Sequence, residues 1–62
     1  MRIRAKIGSM PASVVMVLRK RTPPKIGDRL KVRSRNEDQP ESVRCYDLAM
    51  VGGEPLYFLE RF

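Results

Sequence analysis

The fold of this chain is decided by residues 11–21, PASVVMVLRKR, because this stretch is compatible with two structures. As a helix it begins with a proline, which suits the first helical turn, and it aligns Val14, Val17 and Leu18 as one buried stripe. Its last three residues are cations, which favour the negative end of a helix dipole. As a strand, the same stretch offers a continuous apolar run, residues 14–18, that is rich in β-branched valine. We expect the helix, and the strand remains the alternative.

Apolar and charged residues alternate on both sides of this stretch, which predicts two strands. In residues 2–7 the apolar side chains alternate strictly with Arg2, Arg4 and Lys6. Residues 29–35 repeat the pattern, with a cation at every second position. Each strand is therefore expected to bury one face and to expose its cations on the other.

Two further strands are predicted near the end of the chain. They cover residues 42–51 and 56–62, and a hairpin-type connection over residues 52–55, GGEP, joins them. Residues 43–50 also tolerate a short helix. The predicted fold is therefore α+β (β-α-β-β-β), with one helix packed on a three- to four-stranded sheet in a single domain of residues 1–62. If residues 14–21 form a strand, the alternative is an all-β, SH3-like small barrel.

The composition argues against a catalytic or metal site. With no histidine and a single cysteine, Cys45, the chain can form neither an internal disulfide nor a structural zinc site of the usual ligand count. The absence of histidine also removes the commonest catalytic base. The acidic residues lie in a polar loop and at alternating strand positions, as solvated carboxylates do. We predict a protein that is not an enzyme and that uses no cofactor.

The apolar runs are too short for a membrane span. The longest, residues 14–18, falls far below the roughly 20 residues that a spanning helix needs. Residues 1–6 carry charge without the apolar stretch of a secretory signal. We therefore expect a cytoplasmic protein that does not enter the membrane.

Charge is unevenly distributed along the chain. Residues 1–35 carry eleven Lys or Arg against one acid, a net charge of +10, whereas residues 36–62 carry two Arg against six acids, a net charge of −4. Such asymmetry indicates either an anionic partner for the first half or electrostatic docking of one half on the other.

A cationic sheet face is the predicted binding site. If the two alternating strands are neighbours in one sheet, their cations share the face opposite the helix. Tyr46, with Tyr57 or Phe58, would add an aromatic ring for stacking against bases. The predicted nucleic-acid-binding residues are Arg2, Arg4, Lys6, Arg29, Lys31, Arg33, Arg35 and Tyr46.

These features predict a small binding module that engages RNA or DNA, mainly through phosphate contacts. A second hypothesis is a protein-interaction or regulatory module, which binds an acidic protein surface or pairs with itself as a homodimer through an exposed strand edge.

The order of elements also resembles the small sulfur-carrier family of the TusA/SirA type. In that family a first strand leads to a Cys-Pro-x-Pro motif at the start of a helix, and here Met10-Pro11-Ala12-Ser13 stands at that point. Gly27-Asp28-Arg29-Leu30 and residues 55–59 resemble the family's later strands. The sulfur-carrying cysteine is replaced by Met10, whose thioether cannot form a persulfide. The resemblance thus implies a degenerate sulfur-carrier-like protein, in which a persulfide would require Cys45.

Overall fold

The described part of the chain is built from five strands. A computed structural model of the protein describes residues 1–35 and 37–62. In chain order the strands are β1 (Arg2–Ile7), β2 (Ser13–Val17), β3 (Arg29–Ser34), β4 (Glu41–Val51) and β5 (Glu54–Arg61). None of the described residues forms a helix, and so no helix long and apolar enough to cross a membrane is found among them. The predicted α+β class is wrong, and the all-β alternative is the one that the structure supports.

The deciding stretch contributes β2, so the predicted helix over residues 11–21 is wrong. Within β2, Val15 and Val17 are buried, whereas Val14 is 48% exposed and Met16 is half-buried. This period of two belongs to a strand. Branched side chains lose rotamer freedom in a helix and pack well on a pleated sheet. Packing of β2 between β1 and β3 makes use of that preference and prevails over the favourable helix ends, so the predicted stripe of Val14, Val17 and Leu18 does not form.

The five strands close into a barrel in their sequence order, β1-β2-β3-β4-β5. Consecutive strands pair antiparallel. Because the direction alternates along an odd number of strands, the first and the last run the same way, and β1 and β5 pair in parallel. Closure places β2 between β1 and β3. β1 and β3, the two strands in which apolar and charged residues alternate, are therefore not direct neighbours. The predicted cationic face assumed that they were, and that assumption is wrong.

One small apolar core fills the barrel. Within the closed part of the barrel, alternate residues of the strands point inward, as the pleat requires. The residues of this core are Ile3, Ala5, Ile7, Val15, Val17, Leu30, Val32, Val43, Cys45, Tyr57 and Leu59. Cys45 is buried as a small apolar residue, whereas Met10 and Met50 are exposed.

β4 and β5 form a long hairpin that extends past the closed part of the barrel. The predicted hairpin between these strands is confirmed, but its turn is shorter than the predicted residues 52–55, because Glu54 and Pro55 belong to β5. Gly52 and Gly53 have φ angles of 59° and 82°, as a two-residue turn between right-twisted strands requires. Pairing of β5 with β1 begins only at Leu56, so the missing N–H of Pro55 interrupts no bond on that side. The register between β4 and β5 shifts at Tyr46, which lies opposite no single partner. This bulge reverses the alternation of β4, which lets one strand serve both the barrel and the extension.

Candidate nucleic-acid interface

The predicted cations of β1 and β3 lie on the outer surface of the barrel. Arg2 and Arg4 are exposed and Lys6 is half-buried, because the residues between them face the core. Arg29, Lys31 and Arg33 are likewise exposed on β3, and Arg35 is exposed just after its end. The alternation seen in the sequence thus gives the orientation of these side chains correctly.

β2 lies between the two sets of cations, and the outer faces of β1, β2 and β3 form one continuous surface. Met16 pairs with Arg2 on one side and with Arg33 on the other, and Val14 pairs with Arg4. Neighbouring strands are about 4.8 Å apart, so the β1 and β3 cations flank β2 at a separation of about 10 Å. We call this surface, the outward residues of β1, β2 and β3 with Arg35, the β2 face. It carries a central apolar column between two cationic columns.

A groove runs along the β2 face. Its volume is about 610 Å³, which lies in the range of clefts that hold small ligands. The floor is aliphatic and the rim is cationic. Its lining includes Val14 and Met16 from β2, Arg2 from β1, Arg33, Ser34 and Arg35 from the end of β3, and the acidic pair Glu37 and Asp38.

Most cations of the β2 face are not neutralised within the described residues. Arg4 is the exception, with its Nε 3.8 Å from a carboxylate oxygen of Glu54. Arg29 lies 5.1 Å from the ring centroid of Phe62, a cation–π arrangement. Among residues 1–35 and 37–62 no ion pair involves the remaining five, which we call the unpaired cations: Arg2, Lys6, Lys31, Arg33 and Arg35.

Two of the acids in the second half pair with its own two arginines. Arg44 donates from Nη2 to Glu60 at 2.7 Å, and Arg61 donates from Nε to Glu41 at 2.6 Å. The second pair raises the pKa of Arg61 above its ordinary value, chiefly through its hydrogen bonds to Glu41. Lys20 pairs with Asp28 inside the first half. Only the Arg4–Glu54 pair joins the two halves among the described residues, so docking of one half on the other does not account for the excess of positive charge.

Tyr46 lies on a different part of the barrel from the groove. It occupies the bulge in β4, is 44% exposed, and packs against Phe58 with a centroid distance of 6.2 Å and an interplanar angle of 52°. Phe58 pairs in register with Lys6 on β1. Tyr57 is in the core. The aromatic pair therefore lies beside the β1 cations on the β4–β5 side, and the groove floor is aliphatic instead.

Sequence reasoning missed the two residues of the groove floor. Val14 was expected in the buried stripe of a helix over residues 11–21, which also includes Met16, whereas both residues face outward in β2. The alternation of side chains along a strand could have identified them. If residues 13–17 form a strand with Val15 and Val17 facing inward, Val14 and Met16 must face the outer surface. Glu37 and Asp38 were interpreted only as a solvated loop, and their position at the groove depends on the path of the chain after β3.

Cys45 has the environment of an unreactive thiol. Burial raises its pKa above the ordinary value, and Sγ donates a hydrogen bond to the backbone oxygen of Asp47 at 3.4 Å. A thiol must ionise to act as a nucleophile or ligand, so this burial disfavours both roles. Among the described residues, no group of three or more potential ligands that could hold a metal ion is found.

Comparisons of this chain with protein-family models, with curated proteins and with solved structures found no match.

Proposed function

We propose that this protein binds nucleic acid through the β2 face, with phosphate contacts supplying most of the affinity. The observation that carries the proposal is the convergence of cations from two strands on one grooved surface, while two of the second half's acids are occupied by its own arginines. Phosphates neutralise such cations and release their condensed counterions, which gives strong but salt-sensitive binding.

The shape of the β2 face supports the same proposal. Cations along both edges of β2 can follow a phosphate backbone, and the apolar column between them can contact sugars or bases. The Tyr46–Phe58 pair, next to Lys6, offers a further ring surface at the margin.

The experiment that tests this proposal compares two variants of equal charge. In the first, Lys31, Arg33 and Arg35 are changed to Gln, which removes three unpaired cations from the β2 face. In the second, Arg19, Arg21 and Lys25 are changed to Gln, which removes three cations from the segment between β2 and β3. Binding of fluorescent oligonucleotides is followed by anisotropy at physiological salt, and circular dichroism checks that both variants fold.

Loss of binding in the first variant with retention in the second would support the β2 face. Equal losses would mean that net charge alone drives association. No binding by the folded wild type would refute the proposal and direct attention to an acidic protein surface as the partner.

One observation favours the second candidate, self-association. β3 pairs with β4 only as far as Arg44, and among the described residues no strand pairs with the outer edge of residues 46–51. This edge includes Met50 and Val51, which are 67% and 56% exposed. An exposed apolar edge can pair with a second copy of itself. Sedimentation analysis tests this candidate: a dimer abolished by Met50→Lys would support it, and a monomer at high concentration would exclude it.

A further inference from the structure

Two of the residues that line the groove are acidic, and phosphate binding does not explain their presence. Glu37 and Asp38 line the same groove as three arginines, although carboxylates repel a phosphate backbone. No ion pair between either carboxylate and another described residue is found. The groove thus combines cations, an aliphatic floor and acceptor-only groups within about 610 Å³.

A nucleotide of a single strand fits this combination of cations, apolar side chains and carboxylates better than a duplex does. Its phosphate would lie on the arginines, its base on the side chains of Val14 and Met16, and the polar edge of the base would point to the carboxylates. In a duplex the Watson–Crick edges are already paired, so a carboxylate would meet only phosphates and groove edges. Single strands, by contrast, present these edges to proteins.

Carboxylates also discriminate among the four bases. The Watson–Crick edge of guanine presents two adjacent donors, its N1–H and its 2-amino group, to the two oxygens of a carboxylate. Cytosine and adenine present one amino group each beside a ring-nitrogen acceptor. Uracil and thymine present one N–H between two carbonyl oxygens, and those oxygens repel a carboxylate.

We infer that the groove of the β2 face is a base-reading site for single-stranded nucleic acid, in which Glu37 or Asp38 accepts hydrogen bonds from a guanine edge. This inference depends on the proposed function, because the phosphate contacts supply the affinity and the carboxylates only the preference. Ser34, which also lines the groove, adds a hydroxyl within the same site.

The test uses short oligothymidylates that carry one central guanine, cytosine or adenine, together with the unsubstituted strand and a duplex of the guanine strand. Anisotropy titrations compare wild type with the double variant Glu37→Gln, Asp38→Asn. The matched control is Asp47→Asn, Glu60→Gln, which removes two carboxylates from β4 and β5, outside the groove.

The wild type should bind the guanine strand about fivefold or more tightly than the unsubstituted strand, since a good bidentate contact discriminates by roughly that factor or more. The duplex should bind less tightly than the guanine strand. The groove variant should bind the guanine strand and the unsubstituted strand with similar affinity. The control variant should keep the preference for guanine, although its affinity for every strand rises with its positive charge.

Equal, salt-sensitive binding of every single strand by the wild type would overturn the base-reading site and leave the proposed function intact. A preference that persists in the groove variant would overturn the assignment of the carboxylates. Failure of all oligonucleotides to bind would overturn both proposals together.

Discussion

Replacing Val15 by alanine should cost far more stability than replacing Val14, the residue before it. Val15 is 2% exposed in the core, and alanine removes two methyl-sized groups, worth about 1.6 kcal/mol in transfer free energy at about 0.8 kcal/mol each. The cavity left behind raises the expected cost to about 2–3 kcal/mol. Val14 is 48% exposed, so its truncation should cost less than about 1 kcal/mol.

These costs are large relative to the stability of so short a chain. At about 0.05–0.15 kcal/mol per residue, a chain of this length has an unfolding free energy of roughly 3–9 kcal/mol. Val15→Ala should therefore lower the melting temperature by about 10–20 °C, at 4–8 °C per kcal/mol for a small domain. Thermal and guanidinium unfolding, followed by circular dichroism, measure both variants against wild type.

The order of the two effects distinguishes a strand from a helix. In a helix over residues 11–21 with Val14, Val17 and Leu18 buried, Val14→Ala would be the costly change and Val15→Ala nearly neutral. A Val14→Ala variant that loses as much stability as Val15→Ala, or more, would refute the inward and outward positions assigned to β2. It would also remove Val14 from the groove floor.

Four further predictions follow from the same structure. If the five unpaired cations all contact phosphates, a plot of the logarithm of the binding constant for a single strand against the logarithm of the salt concentration should have a slope of about −3.5. This slope corresponds to a loss of affinity of about 100-fold between about 50 and about 200 mM salt. A slope near zero would exclude binding driven by phosphate contacts. Burial raises the folded-state pKa of Cys45, so the stability that its protonated thiol contributes is present below the unfolded-state pKa and is lost as pH rises through the folded-state pKa. Cys45→Ala should therefore flatten the fall in melting temperature at alkaline pH. The thiol of the native protein should also react with iodoacetamide more slowly than the thiol of the unfolded protein. The pKa of Asp28 is lowered by a hydrogen bond from the backbone N–H of Lys25 and, to a smaller extent, by the ammonium group of Lys20. The stability that the Asp28 carboxylate contributes is therefore present above the unfolded-state pKa and is lost as pH falls through the folded-state pKa. Asp28→Asn should reduce the fall in melting temperature at acid pH. Gly53→Ala should destabilise the hairpin by about 1 kcal/mol because φ is 82°, Gly53→Asn should cost less, and equal melting temperatures for the two variants would contradict this.

The sequence was sufficient to predict the alternating strands and the hairpin turn. Strict alternation in residues 2–7 and 29–35 predicted β1 and β3 and the outward direction of their cations, because a period of two has a single structural meaning. The glycine pair predicted the turn between β4 and β5 for a similar reason, since positive φ angles are costly for other residues.

The path of residues 13–17 could not be predicted with the same rules. A continuous run of five apolar residues satisfies a helix and a strand equally, and the flanking proline and cations favoured the helix. Packing against β1 and β3 decides between them, and such tertiary contacts are absent from local sequence patterns. The groove depended on this decision, because its floor consists of outward residues of β2.

The position of Tyr46 was unpredictable for a different reason. A bulge inserts one residue into a strand and leaves no alternation signal of its own, yet it turns every later side chain to the other face. The parity of β4 after residue 45 therefore could not be derived from the sequence. Pairing of β4 with β5 places the ring beside Phe58 and away from the groove.

Binding of nucleic acid by the β2 face can be located residue by residue in amide ¹⁵N–¹H NMR spectra recorded during titration with a short single-stranded oligonucleotide. We predict that the largest shifts cluster in β1, β2 and residues 31–35, and that they vanish at high salt. Shifts confined to the exposed edge of residues 46–51, or no shifts at concentrations that saturate a micromolar site, would contradict the account.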